Sequence, residues 1–91
     1  MKAIRITALW CMSCLLMKKR WKHVFSDYPE IEVIDYDYDE DHGKIKSYDI
    51  KTILPVVLFI NEGKEIKRLT GEMSEEKIKQ AIEEIYEETD V

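Results

Sequence analysis

Residues 3–14 read AIRITALWCMSC, and this stretch decides the fold. Ala3 to Leu9 is short and rich in Ile and Thr, the composition of a β-strand. It runs directly into Trp10-Cys11-Met12-Ser13-Cys14. From there Cys14, Met17, Trp21, Val24 and Tyr28 fall at steps of three and four and make one apolar helical stripe. Lys18, Lys19, Lys22 and Ser26 fill the other faces. Pro29 ends this helix at about Asp27 or Tyr28. The cysteine pair thus lies where a strand passes into a helix, the end of an open α/β sheet at which sites form.

Working outward, Ile31 to Tyr36 (IEVIDY) reads as a second strand. Asp39, Glu40 and Asp41 give a helix-start signal, with Ile45 and Tyr48 three apart on a short helix. Pro55 opens Val56-Val57-Leu58-Phe59-Ile60, a run typical of a strand buried on both faces. Asn61-Glu62-Gly63 is a turn, so Lys64 to Leu69 returns as a hairpin. Gly71 breaks the chain. Ser74 caps a last helix, with Glu75 and Glu76 at the positive end of its dipole. Its buried stripe is Ile78, Ala81, Ile82, Ile85 and Tyr86. The order β-α-β-α-β-β-α predicts a four-stranded mixed sheet flanked by helices. The first two strands are parallel, and an antiparallel hairpin follows.

The chain has 91 residues, which suits a single domain over 1–91. Its 45% apolar content is too high for a disordered acidic chain. The longest apolar stretch, Pro55 to Ile60, falls far short of the roughly 20 residues of a membrane span. The N-terminus meets charge at once and has no signal-peptide core. A soluble, cytoplasmic, monomeric protein with no membrane partner is expected. Fourteen basic against nineteen acidic residues give a net charge of -5, which argues against nucleic acid as a partner. The one basic cluster, Lys18, Lys19, Arg20 and Lys22, reads as a solvated helix face.

Two cysteines are too few for a disulfide scaffold. In an unexported protein their spacing means redox chemistry or half of a metal site. A pair three apart at a helix start can close a small disulfide ring with little backbone movement. The helix N-terminus stabilises negative charge, so the first thiol is expected to ionise more easily than a free one at about 8.5. Cys11, the more exposed, is the expected nucleophile, and Cys14, on the buried stripe, the resolving thiol. Zinc takes about four ligands, and only His23 and His42 are left to complete a set, neither at a paired spacing. No metal and no cofactor beyond a redox-active Cys11–Cys14 disulfide is therefore expected. A cluster shared between two chains, with two thiolates from each, meets the four-thiolate rule and stays open.

The chain resembles the thioredoxin family. The resemblance rests on Trp10-Cys11-Met12-Ser13-Cys14, on Pro55 placed 41 residues after Cys14, on the turn ending in Gly63, and on Gly71 with Ser74. The run Asp35-Tyr36-Asp37-Tyr38-Asp39 looks like that family's second parallel strand and its exit. The likeness implies a thioredoxin-like fold and a dithiol–disulfide oxidoreductase acting on disulfide-containing proteins, fed by a thioredoxin-reductase-type donor. It implies a cis Pro55 packed against the cysteines, and a substrate edge made by Trp10, Met12, Leu54, Pro55 and Gly71. The alternative is a non-catalytic adaptor or a metal or iron–sulfur carrier using the same cysteines.

Several positions depart from the family. Met12-Ser13 replaces the usual Gly-Pro, and Val56 stands where Thr is common. The sequence starts at what looks like the second strand of a full thioredoxin, so the family's extra N-terminal strand and helix are not expected, and the paired glycines that glutaredoxins use near Gly71 for glutathione are absent. Thioredoxins also place a buried acid six residues before the first cysteine, where this chain has Arg5. Their lysine on the neighbouring strand is Asp35 here. An unpaired charge on a central strand is costly, so Arg5 and Asp35 are expected to meet across adjacent strands. As catalytic groups, Asp35 is the candidate proton acceptor for Cys14, and Arg5 favours thiolate over thiol.

Overall fold

A computed structural model of the chain describes residues 1–50 and 53–89. Strand β1 (Lys2–Thr7) leads into helix α1 (Met12–Phe25), followed by β2 (Glu32–Asp37). A short helix α2 (His42–Ile45) continues as a 3₁₀ turn at Lys46–Tyr48. Strands β3 (Val56–Asn61) and β4 (Lys64–Thr70) precede helix α3 (Glu75–Thr89). The sheet order is β2-β1-β3-β4, with β1 parallel to β2 and the other two pairings antiparallel. This is the mixed four-stranded architecture that the element order implies.

The alternation of side chains along the strands sorts the core into two layers. Ala3, Val57 and Phe59 pack with Met17, Trp21, Val24 and Phe25 of α1 and with Ile78, Ile82 and Ile85 of α3. Ile4, Ile6, Val56 and Leu58 turn the other way, toward Ile45 of α2, and share their cluster with Cys11 and Cys14. Val56 to Phe59 are all buried, which explains why β3 reads as an unbroken apolar run.

Helix α1 ends at Phe25, two or three residues before the expected Asp27 or Tyr28, β2 is shifted by one residue, and the largest differences lie around the cysteines. Strand β1 stops at Thr7, two residues early, and α1 starts at Met12, two residues ahead of Cys14. The cause is local: the Cys11 amide donates to the Ala8 carbonyl at 3.2 Å, closing a tight turn that leaves Leu9 and Trp10 outside. The β3–β4 hairpin has Glu62 at φ 53° and Gly63 at φ 80°. Positive φ at both central residues is the two-residue turn whose twist matches the strands, and Gly63 takes it without steric cost. Ser74 caps α3 by accepting from the Lys77 amide at 3.2 Å.

Candidate active site

Cys11 is the N-cap of α1, with extended backbone at φ -97° and ψ 109°. Its Sγ accepts a hydrogen bond from the Cys14 amide at 3.2 Å. A sulfur in the capping position does the work usually done by a Ser or Asp oxygen, and it receives the Cys14 N–H at the positive end of the helix dipole. Both cysteines are free thiols. Cys11 is 8% exposed and Cys14 only 1%, so an incoming disulfide meets Cys11 first.

Burial, and then the hydrogen bond to Cys11, push the Cys14 thiol up from 9.0 to about 12. The Cys11 charge adds to this, while a backbone hydrogen bond with Ala8 and the Lys18 ammonium pull the other way. Cys14 therefore keeps its proton at neutral pH and offers it to the Cys11 sulfur. The two thiols are made unlike each other by position alone.

A collar of exposed apolar side chains surrounds the pair in sequence. Leu9, Trp10 and Met12 are 87%, 60% and 74% exposed, and Leu15 and Leu16 are also more than half exposed. Trp10 is anchored: its Nε1 donates to Asp39 Oδ2 at 2.8 Å, and its ring meets the edge of Tyr38 at 6.0 Å. Asp39 is held near by the turn after β2, where Asp37 Oδ2 accepts the amides of Asp39 and Glu40. The Leu54–Pro55 bond is cis. Leu54 and Val56, which flank Pro55, belong to the cluster that contains both cysteines. The Pro55 carbonyl accepts from the Gly71 amide at 2.8 Å, and Gly71 sits at φ 81°. Pro55 and Gly71 are thus neighbours, although 16 residues separate them.

The family model described as Thioredoxin matches residues 2–84. The chain belongs to the thioredoxin family. It is 33% identical over 76 residues to thioredoxin H7 of Arabidopsis thaliana, and the match covers 84% of this chain. The chain spans only 58% of the length of that curated relative. Fasciola hepatica thioredoxin superposes with a TM-score of 0.82 at 26% identity, covering 91% of this chain and 78% of that one. Reduced thioredoxin 2 of Pseudomonas aeruginosa PAO1 shares the fold at a TM-score of 0.81 and 24% identity, covering 96% of this chain and 80% of that one.

Within this thioredoxin fold, Arg5 and Asp35 face each other in register on β1 and β2. Arg5 Nε donates to Asp35 Oδ1 at 2.6 Å and Nη2 to Oδ2 at 2.8 Å, a bidentate pair. The guanidinium also lies 5.2 Å from the Trp21 ring centre and 5.7 Å from that of Phe25. Trp21 is seven residues past Cys14, about two helical turns. The pair therefore braces α1 well below the cysteines. Lys18 lowers the Cys14 thiol slightly, an effect that burial outweighs.

Of the residues expected at the substrate edge, Trp10 and Met12 are exposed, Gly71 is half-buried, and the Leu54 and Pro55 side chains are buried. Leu9, Leu15 and Leu16 flank the cysteines in sequence and are exposed, and Asp39 reaches them through Trp10; none of these is among the expected site residues. Leu15 and Leu16 had a readable signal, since they fall off the buried stripe and so place apolar groups on a polar face. Among the described residues no group of three or more His, Cys, Asp or Glu could hold a metal ion. Nor is any described helix long and apolar enough to cross a membrane.

Proposed function

We propose that the protein is a dithiol–disulfide oxidoreductase that reduces disulfides of other proteins. The observation that carries this reading is the asymmetry of the pair: Cys11 caps the helix and keeps some exposure, 8%, whereas Cys14 is almost fully enclosed and keeps its proton. Membership of the thioredoxin family supports it. Cys11 thiolate attacks one sulfur of the substrate disulfide, forming a mixed disulfide and releasing the other sulfur as a thiolate that takes up a proton. Cys14 then attacks Cys11 Sγ, and its proton passes to the departing substrate sulfur. The Cys11–Cys14 disulfide forms and the second substrate thiol leaves. Two electrons have passed to the substrate, and a thioredoxin-reductase-type donor returns them.

In this proposal Trp10 and Met12 supply a flat apolar contact, and Pro55 and Gly71 mark the edge where the substrate chain lies. Leu54 contributes through its backbone, its side chain being buried. Arg5 and Asp35 position α1 and act on the cysteines through it. A cytoplasmic location and a monomeric state belong to the same reading, since a lone pair of thiols suits a reducing compartment. The test is direct. The protein is reduced, freed of reductant and mixed with insulin. Wild type is expected to cleave insulin disulfides stoichiometrically, and Cys11→Ser not at all. A coloured or zinc-loaded protein without turnover points instead to the carrier alternative.

A further inference from the structure

Helix α1 has an uneven charge pattern. The chain carries 19 acidic residues, yet Met12–Phe25 contains none. Its basic residues divide into two groups. Arg20 donates to the Met73 carbonyl and His23 meets Glu75, so both are engaged with the α3 side. Lys18, Lys19 and Lys22 have no salt bridge among the described residues, although the protein is acidic overall. Among the described residues Lys2, Lys46, Lys64 and Lys77 also lack a salt bridge, so what sets α1 apart is the absence of any acid on the helix beside its cations.

Cys11, Leu15, Lys18 and Lys22 follow one another at steps of four, three and four, so they lie along a single line of the helix surface. Lys18 is about 10 Å along the axis from Cys11 and Lys22 about 16 Å. Leu15, between them, is 52% exposed. Beneath the two lysines a groove of about 520 Å³ opens between α1 and the β1–β2 edge, lined by Arg5, Thr7, Lys18, Trp21, Lys22 and Asp35. Asp35 is its one acid, and both its oxygens are taken by Arg5. Asp37, the next acid on that face of β2, turns Oδ2 to the amides of Asp39 and Glu40. The groove therefore keeps two uncompensated positive charges.

We propose that this strip is a docking surface for the protein whose disulfide Cys11 attacks, recognising an apolar side chain next to the partner's cysteine and carboxylates farther along its chain. The proposal rests on the oxidoreductase reading, because that reading brings the partner to Cys11. Leu15 takes the apolar side chain, and Lys18 and Lys22 take the carboxylates over the groove. A protein is favoured over nucleic acid because the strip starts at Cys11, where the attacked disulfide must sit, and passes over Leu15, an exposed apolar side chain that a phosphate chain has nothing to match. Charge complementarity of this kind sets partner choice and speeds encounter.

Short fluorescent peptides test it, each carrying Ser in place of the attacked Cys so that no chemistry occurs. One bears two glutamates downstream of a leucine, and its twin bears glutamines. Anisotropy is read on the full chain. Wild type is expected to bind the glutamate peptide roughly tenfold more tightly in low salt, with the gap closing near about 0.5 M salt. Lys22→Glu should narrow the gap to about threefold or less and Lys18→Glu/Lys22→Glu should remove it, while Lys77→Glu on α3 leaves it intact. Equal binding of the two peptides, no binding of either at about 1 mM, an equal effect of Lys77→Glu, or tighter binding of a single-stranded oligonucleotide overturns the proposal. Disulfide-linked versions of the same peptides separate the two readings. If the glutamate peptide docks as described but its disulfide is not reduced, the docking surface stands and the oxidoreductase reading falls.

Discussion

Breaking the Arg5–Asp35 pair should cost stability, and the structure sets the amount. The pair has two charge-assisted hydrogen bonds, at 2.6 and 2.8 Å. The Arg5 side chain is 19% exposed and that of Asp35 60%. Removing one member of a fully buried pair costs about 3–5 kcal/mol, and an exposed pair is worth about 0.2–1 kcal/mol. With its carboxylate mostly in water, this pair belongs near the top of the exposed range, at about 1 kcal/mol. Arg5 also stacks on Trp21 and Phe25, which adds about 0.5–1 kcal/mol. Arg5→Met is therefore expected to lose about 1.5 kcal/mol, and Asp35→Asn, which keeps one oxygen acceptor, somewhat less. The double variant should lose about 1 kcal/mol less than the sum of the two. Urea unfolding of the four proteins measures the cycle. Effects that add to within about 0.3 kcal/mol would show that the pair contributes nothing. The pH profile of insulin reduction by Asp35→Asn gives a second readout. A positioning role leaves its alkaline limb in place, and direct proton transfer to Asp35 moves it.

Cys14 should titrate near pH 12 in the reduced protein, followed by thiolate absorbance, and in Cys11→Ser its pKa should fall yet stay above 9.0, because burial is the largest cause of the shift. Since that pKa is raised by folding, the reduced protein should be fully stabilised below about pH 9 and lose stability toward pH 12, more steeply than Cys14→Ala. Trp21→Ala removes a side chain that is 2% exposed and packed between α1 and the sheet, and should cost about 3–5 kcal/mol in urea unfolding. Asp39→Ala frees Trp10 from its anchor and should raise KM for a protein disulfide while costing about 1 kcal/mol of stability or less.

Much of the architecture is legible from short-range signals. The stripe through Cys14, Met17, Trp21 and Val24 marks the buried face of α1 because a helix repeats its faces every three to four residues. The Asn61-Glu62-Gly63 turn sets the hairpin because Gly63 takes a positive φ. The register that places Arg5 opposite Asp35 follows from pairing two strands whose charges would otherwise be unmatched. Less legible were features that depend on tertiary placement. Nothing local says that Asp39 reaches back to Trp10, 29 residues away, or that Leu9 is left outside by a turn closed on Ala8. The basic cluster shows the limit most clearly. As a sequence it reads as a solvated helix face. Only the pairing of Arg20 and His23 toward α3, together with the lack of salt bridges on Lys18 and Lys22, sets one flank apart.

The central claim is that Cys11 attacks and Cys14 resolves. Its most direct test is to mix reduced Cys14→Ser with a protein disulfide and identify the linkage by mass spectrometry. The expected product is a stable mixed disulfide through Cys11, whereas Cys11→Ser traps nothing through Cys14 at neutral pH. Trapping through Cys14, or faster alkylation of Cys14 than of Cys11 in the wild-type protein, would contradict the account.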